Sequence, residues 1–465
     1  MLFKPFYLGC LSHASYLLAD GGEAAIIDPQ RDVQLYLDAA KEAGATIRWI
    51  VETHLHADFV SGHAELARKT GAKILIGHRA GAAFEHVAAT HGMEIPIGKS
   101  RLRVLETPGH TPEGISLLQL DSTGMPARLF SGDTLFVGDV GRPDLAAGAG
   151  FDAEAMASML YDSLRNVILP LPDAVEVWPA HGAGSSCGKN ISNETHSTIG
   201  EQRRNNHALQ PMSREEFVTS MTTGLPAAPR YFRKDALANR DGAADLDALA
   251  SPPAVSPEKV AHALAEGVTL LDVRGPDAFA AGHVPGSMAI GLGGQFAPWA
   301  GSLVPLDKPL LLVADSDAHV AEARLRLARV GIENVLGFLE GGVDGWRSSG
   351  RSLTSLPRVE PASLAGERKE RKPIVLDVRR PGEHETARIP GAVNVPLDRL
   401  ESAIDGGTLG IPRDADVVVT CASGYRSSAA CSVLERKGFG RLTDLTGGTN
   451  AWIAAGLPVE RRETP

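Results

Sequence analysis

Cysteine is scarce in this chain: 465 residues hold four, at Cys10, Cys187, Cys421 and Cys431. A chain this long buries a core without covalent staples, so the four read as thiols of a reducing, cytoplasmic compartment. Each is then either a small buried hydrophobe or a reactive group. Positive charge is not in excess either. With 46 Lys and Arg against 56 Asp and Glu, the net charge is −10, which argues against a nucleic-acid or anionic-membrane partner. No apolar run approaches the roughly 18 residues of a membrane span. The N-terminal stretch, broken by His13, Ser15 and Asp20, reads as two short strands rather than a signal peptide. The remainder is an ordinary globular composition, 43% hydrophobic and 22% charged. At roughly 100–200 residues per domain, the length predicts two to four domains.

Up to about residue 230 short strands alternate with helices. "EAAIIDP" and "IRWIVET" read as buried strands that end in polar loops, "AELARKTGA" as a helix stopped by Gly71, and "AKILIG", "LRVLETPGH", "ISLLQL" and "ARLFSGDTLF" as further strands. "EAMASMLYDSLRNVI" predicts an amphipathic helix and "AVEVWPAHG" a strand that delivers a histidine. The recurring event is a strand ending in a His- or Asp-bearing loop, which is where α/β proteins place their chemistry. Residues 233–257, rich in Ala, Asp and Pro, read as a linker. After it comes an internal repeat: "LLDVRGPDAFAAGHVPGSMAI" against "VLDVRRPGEHETARIPGAVNV", and "FLEGGVDGWRSSG" against "DLTGGTNAWIAAG". The near-constant offset between Asp272 and Asp377, and between Trp346 and Trp452, predicts two copies of one α/β domain of about 100 residues. "SLPRVEPASLAGERKERKP" reads as a second linker. The expected domains are 1–235, 256–354 and 367–463.

In "ETHLHADFVSGH", His54, His56 and Asp58 alternate along an extended segment and are expected to project to one side. His110 in "TPGHTPEG", Asp133 in "FSGDTLFVGDVGRPDL" and His181 in "WPAHGAGSSCGK" follow later strands. A lone histidine in a loop is usually a surface or hydrogen-bonding residue; three His-bearing loops and an Asp loop after buried strands point to a bound metal.

"THLHAD", "PGH", "SGDTLF" and "PAHG", in that order, resemble the metallo-β-lactamase superfamily over the first 200-odd residues, which implies an αββα sandwich. Within it, "GDTLFVGDVGRPDL" and "PAHGAGSSCGK" resemble the persulfide dioxygenases. In the hydrolases of the superfamily two zinc ions are held. One uses the positions of His54, His56 and His110. The other uses those of Asp58, the residue after it and His181, and Asp133 bridges. Here that next residue is Phe59, so the second site is short of a ligand and one metal is favoured over two. The dioxygenase resemblance implies one Fe(II) per chain on His54, His110 and Asp133, with zinc as a substitute. Two imidazoles and a carboxylate are the ligand set of non-haem iron oxygenases. His56, Asp58 and His181 then stand behind the ligands and orient water, substrate or the ligands themselves. The bland reading of Phe59 is a core residue under the loop, and both readings hold together. Arg142 matches a family position that helps hold substrate carboxylates; otherwise it is a surface charge. Cys187 reads either as a contact to a persulfide substrate or as a buried thiol. The glutathione-specific members carry a tyrosine soon after the last histidine, where this chain has "GAGSSCG". The thiol carrier therefore stays open among glutathione, coenzyme A and other low-molecular-weight thiols.

"VVVTCASGYRSSAACSVLERKG" predicts a buried strand, a tight loop and a helix. Loop amides of Ala422, Ser423, Gly424 and Tyr425 and the helix N-terminus are expected to converge on Cys421, with Arg426 adding positive charge; together these stabilise an anionic persulfide. The alternative is a buried cysteine at a strand end. This loop, with "DVR", "ARIPGAVN" and "LTGGTNAW", resembles the rhodanese sulfurtransferases, whose domains are α/β with a parallel sheet. Cys431 on the following helix reads as core. The middle copy has "LLVADSDAHVAEA" in place of the loop and no cysteine at all, so it reads as a spacer or docking surface.

The whole chain resembles the persulfide dioxygenase–rhodanese fusions of sulfide detoxification. That implies oxidation of a thiol persulfide by O2 to sulfite, with Cys421 moving sulfane sulfur between persulfide, sulfite and thiosulfate, in a homo-oligomeric protein. The rivals are a zinc thioesterase of the glyoxalase II kind fused to a sulfurtransferase, and a non-catalytic sulfur carrier or scaffold.

Overall fold

The computed structural model describes residues 1–368 and 371–462. The chain divides into two units, one comprising Met1–Leu249 with Ala328–Gly331 and the other Ala250–Leu327 with the chain from Ile332 onward. In the first, the segments Leu2–Leu8, His13–Asp20, Glu23–Ile27, Thr46–Val51, Lys73–Gly77 and Val87–Ala89 form one six-stranded sheet in that order. Glu94–Ile97, Ser100–Glu106, Ile115–Leu120, Pro126–Gly132, Glu176–Pro179 and Ser197–Thr198 form the other. Strand alternation sends neighbouring residues to opposite cores. Leu18, Ile27 and Val51 meet Leu102, Leu117 and Phe130 between the sheets. Leu17 and Ile26 face Tyr36 and Leu66 of the outer helices. On the far side Leu118 and Leu129 pack against Leu160 and Phe217. The expected αββα sandwich is what forms, because strands apolar on both faces need cover on both.

Several sequence readings are corrected. Residues 233–257 are not simply a linker: Phe232–Asp241 is a helix of the first unit. Its buried Asn239 donates to the carbonyls of His56 and Phe59, both at 2.7 Å, and accepts from the Ser61 amide at 2.7 Å. The Ala/Asp composition that suggested a linker hid one buried amide that fixes the histidine loop. The strand predicted through "ARLFSGDTLF" ends at Gly132, in a left-handed turn (φ 54°) where a β-carbon would stand 2.6 Å from the Thr53 hydroxyl. The helix from Ala153 is α-helical only to Asp162 and widens to a π-turn over Ser163–Ile168.

The second unit holds two five-stranded, wholly parallel sheets of one topology. Ala254–Val255, Val335–Leu339, Leu310–Val313, Thr269–Asp272 and Met288–Ala289 make the first. Arg358–Val359, Leu442–Leu445, Val417–Thr420, Ile374–Asp377 and Val393–Asn394 make the second. The second linker is thus also corrected. Arg358–Val359 pairs with Leu442–Leu445, and the helix Pro361–Glu367 buries Leu364 in the same core, so the last domain begins ahead of residue 367. Its expected end at 463 lies outside the described residues. The repeated "DVR" is a repeated fork: Arg274 grips Asp272 and Arg379 grips Asp377, each with a shortest contact of 2.6 Å.

Asn239→Ala is expected to cost about 1–3 kcal/mol, because it strands two buried carbonyls and one amide. It should also loosen metal retention, read by chemical denaturation and by metal content after dialysis. Unchanged values for both would show that the helix is passive.

Candidate metal centre and sulfur-transfer loop

After Val51 the chain leaves the strand, so His54, His56 and Asp58 do not alternate to one side as expected; they fan out to three partners. Asp28, at a left-handed φ of 50°, fixes the loop by accepting from the Thr53 amide (2.7 Å) and hydroxyl (2.9 Å). With its hydrogen given to Asp28, the Thr53 oxygen can accept from Nδ1 of His54, 3.0 Å away. Nδ1 of His110 donates to the Arg142 carbonyl at 2.9 Å. Both rings therefore turn Nε2 toward Asp133, whose Oδ2 lies 3.7 Å from His54 and 3.4 Å from His110. Burial holds His54 well below the ordinary histidine range, helped by His56, and burial also lowers His110. Burial alone would raise Asp133, but attraction to His181, His54 and His110 prevails and keeps it well below the carboxylate range.

Two imidazole lone pairs thus face a carboxylate oxygen that is buried and has no hydrogen-bond partner. Such a cluster is repulsive unless a cation joins it, so this donor set fits a metal ion. His54, His110 and Asp133 bring one ligand atom each within 4.8 Å of one another.

His181 sits behind them. Its Nδ1 is 2.7 Å from Asp133 Oδ1 and its Nε2 is 2.8 Å from Asp58 Oδ2. Burial lowers its pKa, but the two carboxylates more than reverse this and raise it well above 6.5. His56 turns instead to Asp28 (3.2 Å) and Glu52 (3.7 Å). Phe59 is fully buried, with its ring centroid 4.2 Å from His13 and 4.5 Å from His56. Cys187, read from sequence as a substrate contact or a buried thiol, is buried. In space it joins Asp58 and His181 as a third potential ligand, all within 4.8 Å. The second cluster is therefore not bare without residue 59. Burial, then Asp58 and Asp133, push the Cys187 thiol well above its usual range. Arg142 is buried. Its guanidinium forks onto Asp144 at 3.0 and 2.7 Å and donates to the carbonyls of Ser186 and Pro226. Asp28 and Glu52 went unremarked in the sequence, although "IIDP" is itself a strand ending in an acidic loop.

In the last domain, Val417–Thr420 leads into Cys421 and the helix Tyr425–Arg436. The Gly424 amide, at a left-handed φ of 96°, donates to Cys421 Sγ at 3.1 Å, and the thiol lies 3.6 Å from the Ser427 hydroxyl. Ser423 is exposed and Ala422 half-buried, so the loop has an open side. Amides of Thr449 and Asn450 hold the Cys421 and Ala422 carbonyls at 2.7 and 3.0 Å. Arg426 is not a free charge beside the sulfur: it forks onto Glu383 at 2.7 and 2.6 Å. Cys431 is buried, as expected of core. In the middle domain Leu310–Val313 leads into Ala314, where the last domain has its cysteine.

Residues 8–181 match the Metallo-beta-lactamase superfamily, and residues 256–349 and 360–455 each match the Rhodanese-like domain. A solved metallo-beta-lactamase from Staphylococcus aureus subsp. aureus COL is 34% identical with a TM-score of 0.65, and the match covers 72% of this chain and 98% of that one. Mitochondrial persulfide dioxygenase ETHE1 of Bos taurus is 33% identical over 216 residues, 44% of this chain and 75% of that protein. Hydroxyacylglutathione hydrolase of Anaeromyxobacter dehalogenans is 39% identical over 170 residues, 36% of this chain; the chain spans only 60% of that relative's length.

The chain belongs to the metallo-beta-lactamase superfamily. Its superfamily domain is followed by tandem rhodanese-like domains, and it carries a His/Asp cluster able to hold a metal, as is typical of that fold. No helix among the described residues is long and apolar enough to cross a membrane.

Phe59→His adds an imidazole beside Asp58, His181 and Cys187. Bound zinc is expected to rise by up to one ion per chain in elemental analysis, with loss of any oxygenase activity; an unchanged count would mean that residue 59 does not limit the second site. In the last domain, burial would raise Glu383 but Arg426 lowers it below its ordinary value. A carboxylate depressed by folding contributes stability above its unfolded pKa of about 4.3, and the contribution is lost as pH falls through the folded value. The stability gap between wild type and Glu383→Gln should therefore be full at pH 6 and close below about pH 4. A gap that does not depend on pH would contradict the pairing.

Proposed function

We propose that the first unit is a mononuclear non-haem iron persulfide dioxygenase and that the last domain is a sulfurtransferase acting on its product, together handling sulfide-derived sulfur in the cytoplasm. The observation that carries this reading is the facing of His54, His110 and the unpartnered Asp133 oxygen on one chain with an intact Cys421 loop. Similarity to a protein named persulfide dioxygenase supports it. The reaction balances as RSSH + O2 + H2O giving RSH, sulfite and two protons, with the sulfane sulfur losing four electrons to O2. Iron, when bound by His54, His110 and Asp133, supplies the redox chemistry and the open positions that O2 and a persulfide need.

The residues around that set have separable tasks. Thr53 and the Arg142 carbonyl fix the two imidazoles, and His181 holds Asp133 Oδ1 so that Oδ2 faces inward. Buried Phe59 limits water on one side. Cys187, grouped with Asp58 and His181, would touch the persulfide, and Arg142 holds the loop that carries it. For the last domain, the Cys421 thiolate would attack the outer sulfur of a persulfide and release RS⁻. The sulfur so carried would pass to sulfite as thiosulfate and regenerate the thiolate, with the Gly424 amide facing the sulfur throughout.

A zinc thioesterase is the second reading. It is favoured by the Asp58, His181 and Cys187 cluster and by the hydroxyacylglutathione hydrolase relative.

Asp133→Ala should lose bound metal and persulfide-dependent O2 uptake while thiosulfate:cyanide transfer stays near normal. Cys421→Ser should keep O2 uptake and shift the product from thiosulfate toward sulfite. If sulfur flows from thiosulfate instead, the same variant should lose thiosulfate-dependent uptake alone. A product ratio unchanged from either substrate would remove Cys421 from the pathway.

A further inference from the structure

The two copies in the second unit differ at one sheet edge. In the last domain the edge strand Val393–Asn394 is open, and Val393 is 39% exposed. Its counterpart in the middle domain, Met288–Ala289, is buried, as is Ile290 after it, at 3% exposure or less. What covers it is the Tyr425–Arg436 helix, the one that begins at the sulfur loop. The Ala289 amide donates to Ser432 Oγ at 2.9 Å, and His283 meets Glu435 at 2.9 Å. At the first residue of that helix, Tyr425 donates its hydroxyl to the Gly291 carbonyl at 2.8 Å. Its ring lies against Gly294, where an added β-carbon would stand 3.7 Å from three ring atoms. The Gly291–Gly294 stretch is in turn tied down by Arg326, which donates to the carbonyls of Leu292 and Gly294 and stacks over Phe296 at 5.2 Å.

We infer that the cysteine-less copy is a clamp for the persulfide loop of its sister, with Tyr425 as a positioning residue that the Arg326-braced stretch holds in place. The link to the sulfur is one residue long: Tyr425 follows Gly424, whose amide is the one that reaches Cys421 Sγ. That amide can point at the sulfur only while Gly424 keeps its left-handed turn and the helix start stays in register. Rotation at the helix start would turn the amide away, and the hydroxyl–carbonyl bond across the two copies opposes that rotation. The middle copy has no cysteine at the matching position, yet it supplies the stretch that touches the working loop.

The inference rests on Cys421 being the sulfur carrier, and the control separates the two claims: in the full-length protein, Cys421→Ser must abolish thiosulfate:cyanide transfer. Against that background, Tyr425→Phe removes one hydroxyl and Arg326→Met releases two carbonyls without touching the loop. Each should lower kcat on the order of fivefold, the effect of one lost hydrogen bond, with KM for thiosulfate within twofold. Each should also slow iodoacetamide alkylation of Cys421, followed by peptide mass spectrometry. Because both act through one stretch of chain, the double variant should lose no more than the worse single one. Wild-type kcat and alkylation in both single variants, or a double loss equal to the product of the two, would overturn the clamp.

Discussion

A buried carboxylate oxygen with no hydrogen to accept is the constraint on which the first unit turns. Asp133 Oδ2 faces two imidazole nitrogens whose other sides are already engaged by Thr53 and the Arg142 carbonyl, so a neutral ring has no hydrogen left to offer it, and burial disfavours the doubly protonated ring that would. An arrangement of that kind is unfavourable in a low-dielectric interior until a cation enters. The surrounding structure holds it in place. Asp28 fixes the start of the loop, Asn239 its end, and His181 the far oxygen of the same carboxylate. Close backbone packing at Gly132, where no β-carbon fits, sets Asp133 against that loop.

Much of this was legible because strand ends announce themselves. His54, His110, Asp133 and His181 each follow a buried apolar run, and the fold brings all four together. The repeat was equally legible, because the Asp–Arg fork and the tryptophan that donates to a carbonyl six residues on recur at a near-constant offset. What sequence did not reveal were partners distant along the chain. Nothing local to Asn239 says that it binds residues 180 or more positions away, and composition alone made its helix look like a linker. Nothing in "CASGYR" says that Arg426 is paired with Glu383. Alternation along "HLHAD" misled because the rule belongs to extended strands and this segment bends.

The second unit shows how one fold is used twice to different ends. The same parallel sheet and the same fork support a sulfur-facing amide in one copy, while the other turns its equivalent edge toward its sister's helix. The copy without a nucleophile gives its surface to the helix that begins at its sister's sulfur loop.

As proposed, this His/Asp centre works as a mononuclear iron oxygenase and not as a dinuclear zinc hydrolase. The most direct test measures metal content, O2 consumed, sulfite formed and thioester hydrolysis on one preparation supplied with both metals. The account predicts about one iron per chain and one O2 consumed per persulfide oxidised, with sulfite as the product and no thioester turnover. Two zinc ions per chain, with thioester hydrolysis and no O2 uptake, would contradict it.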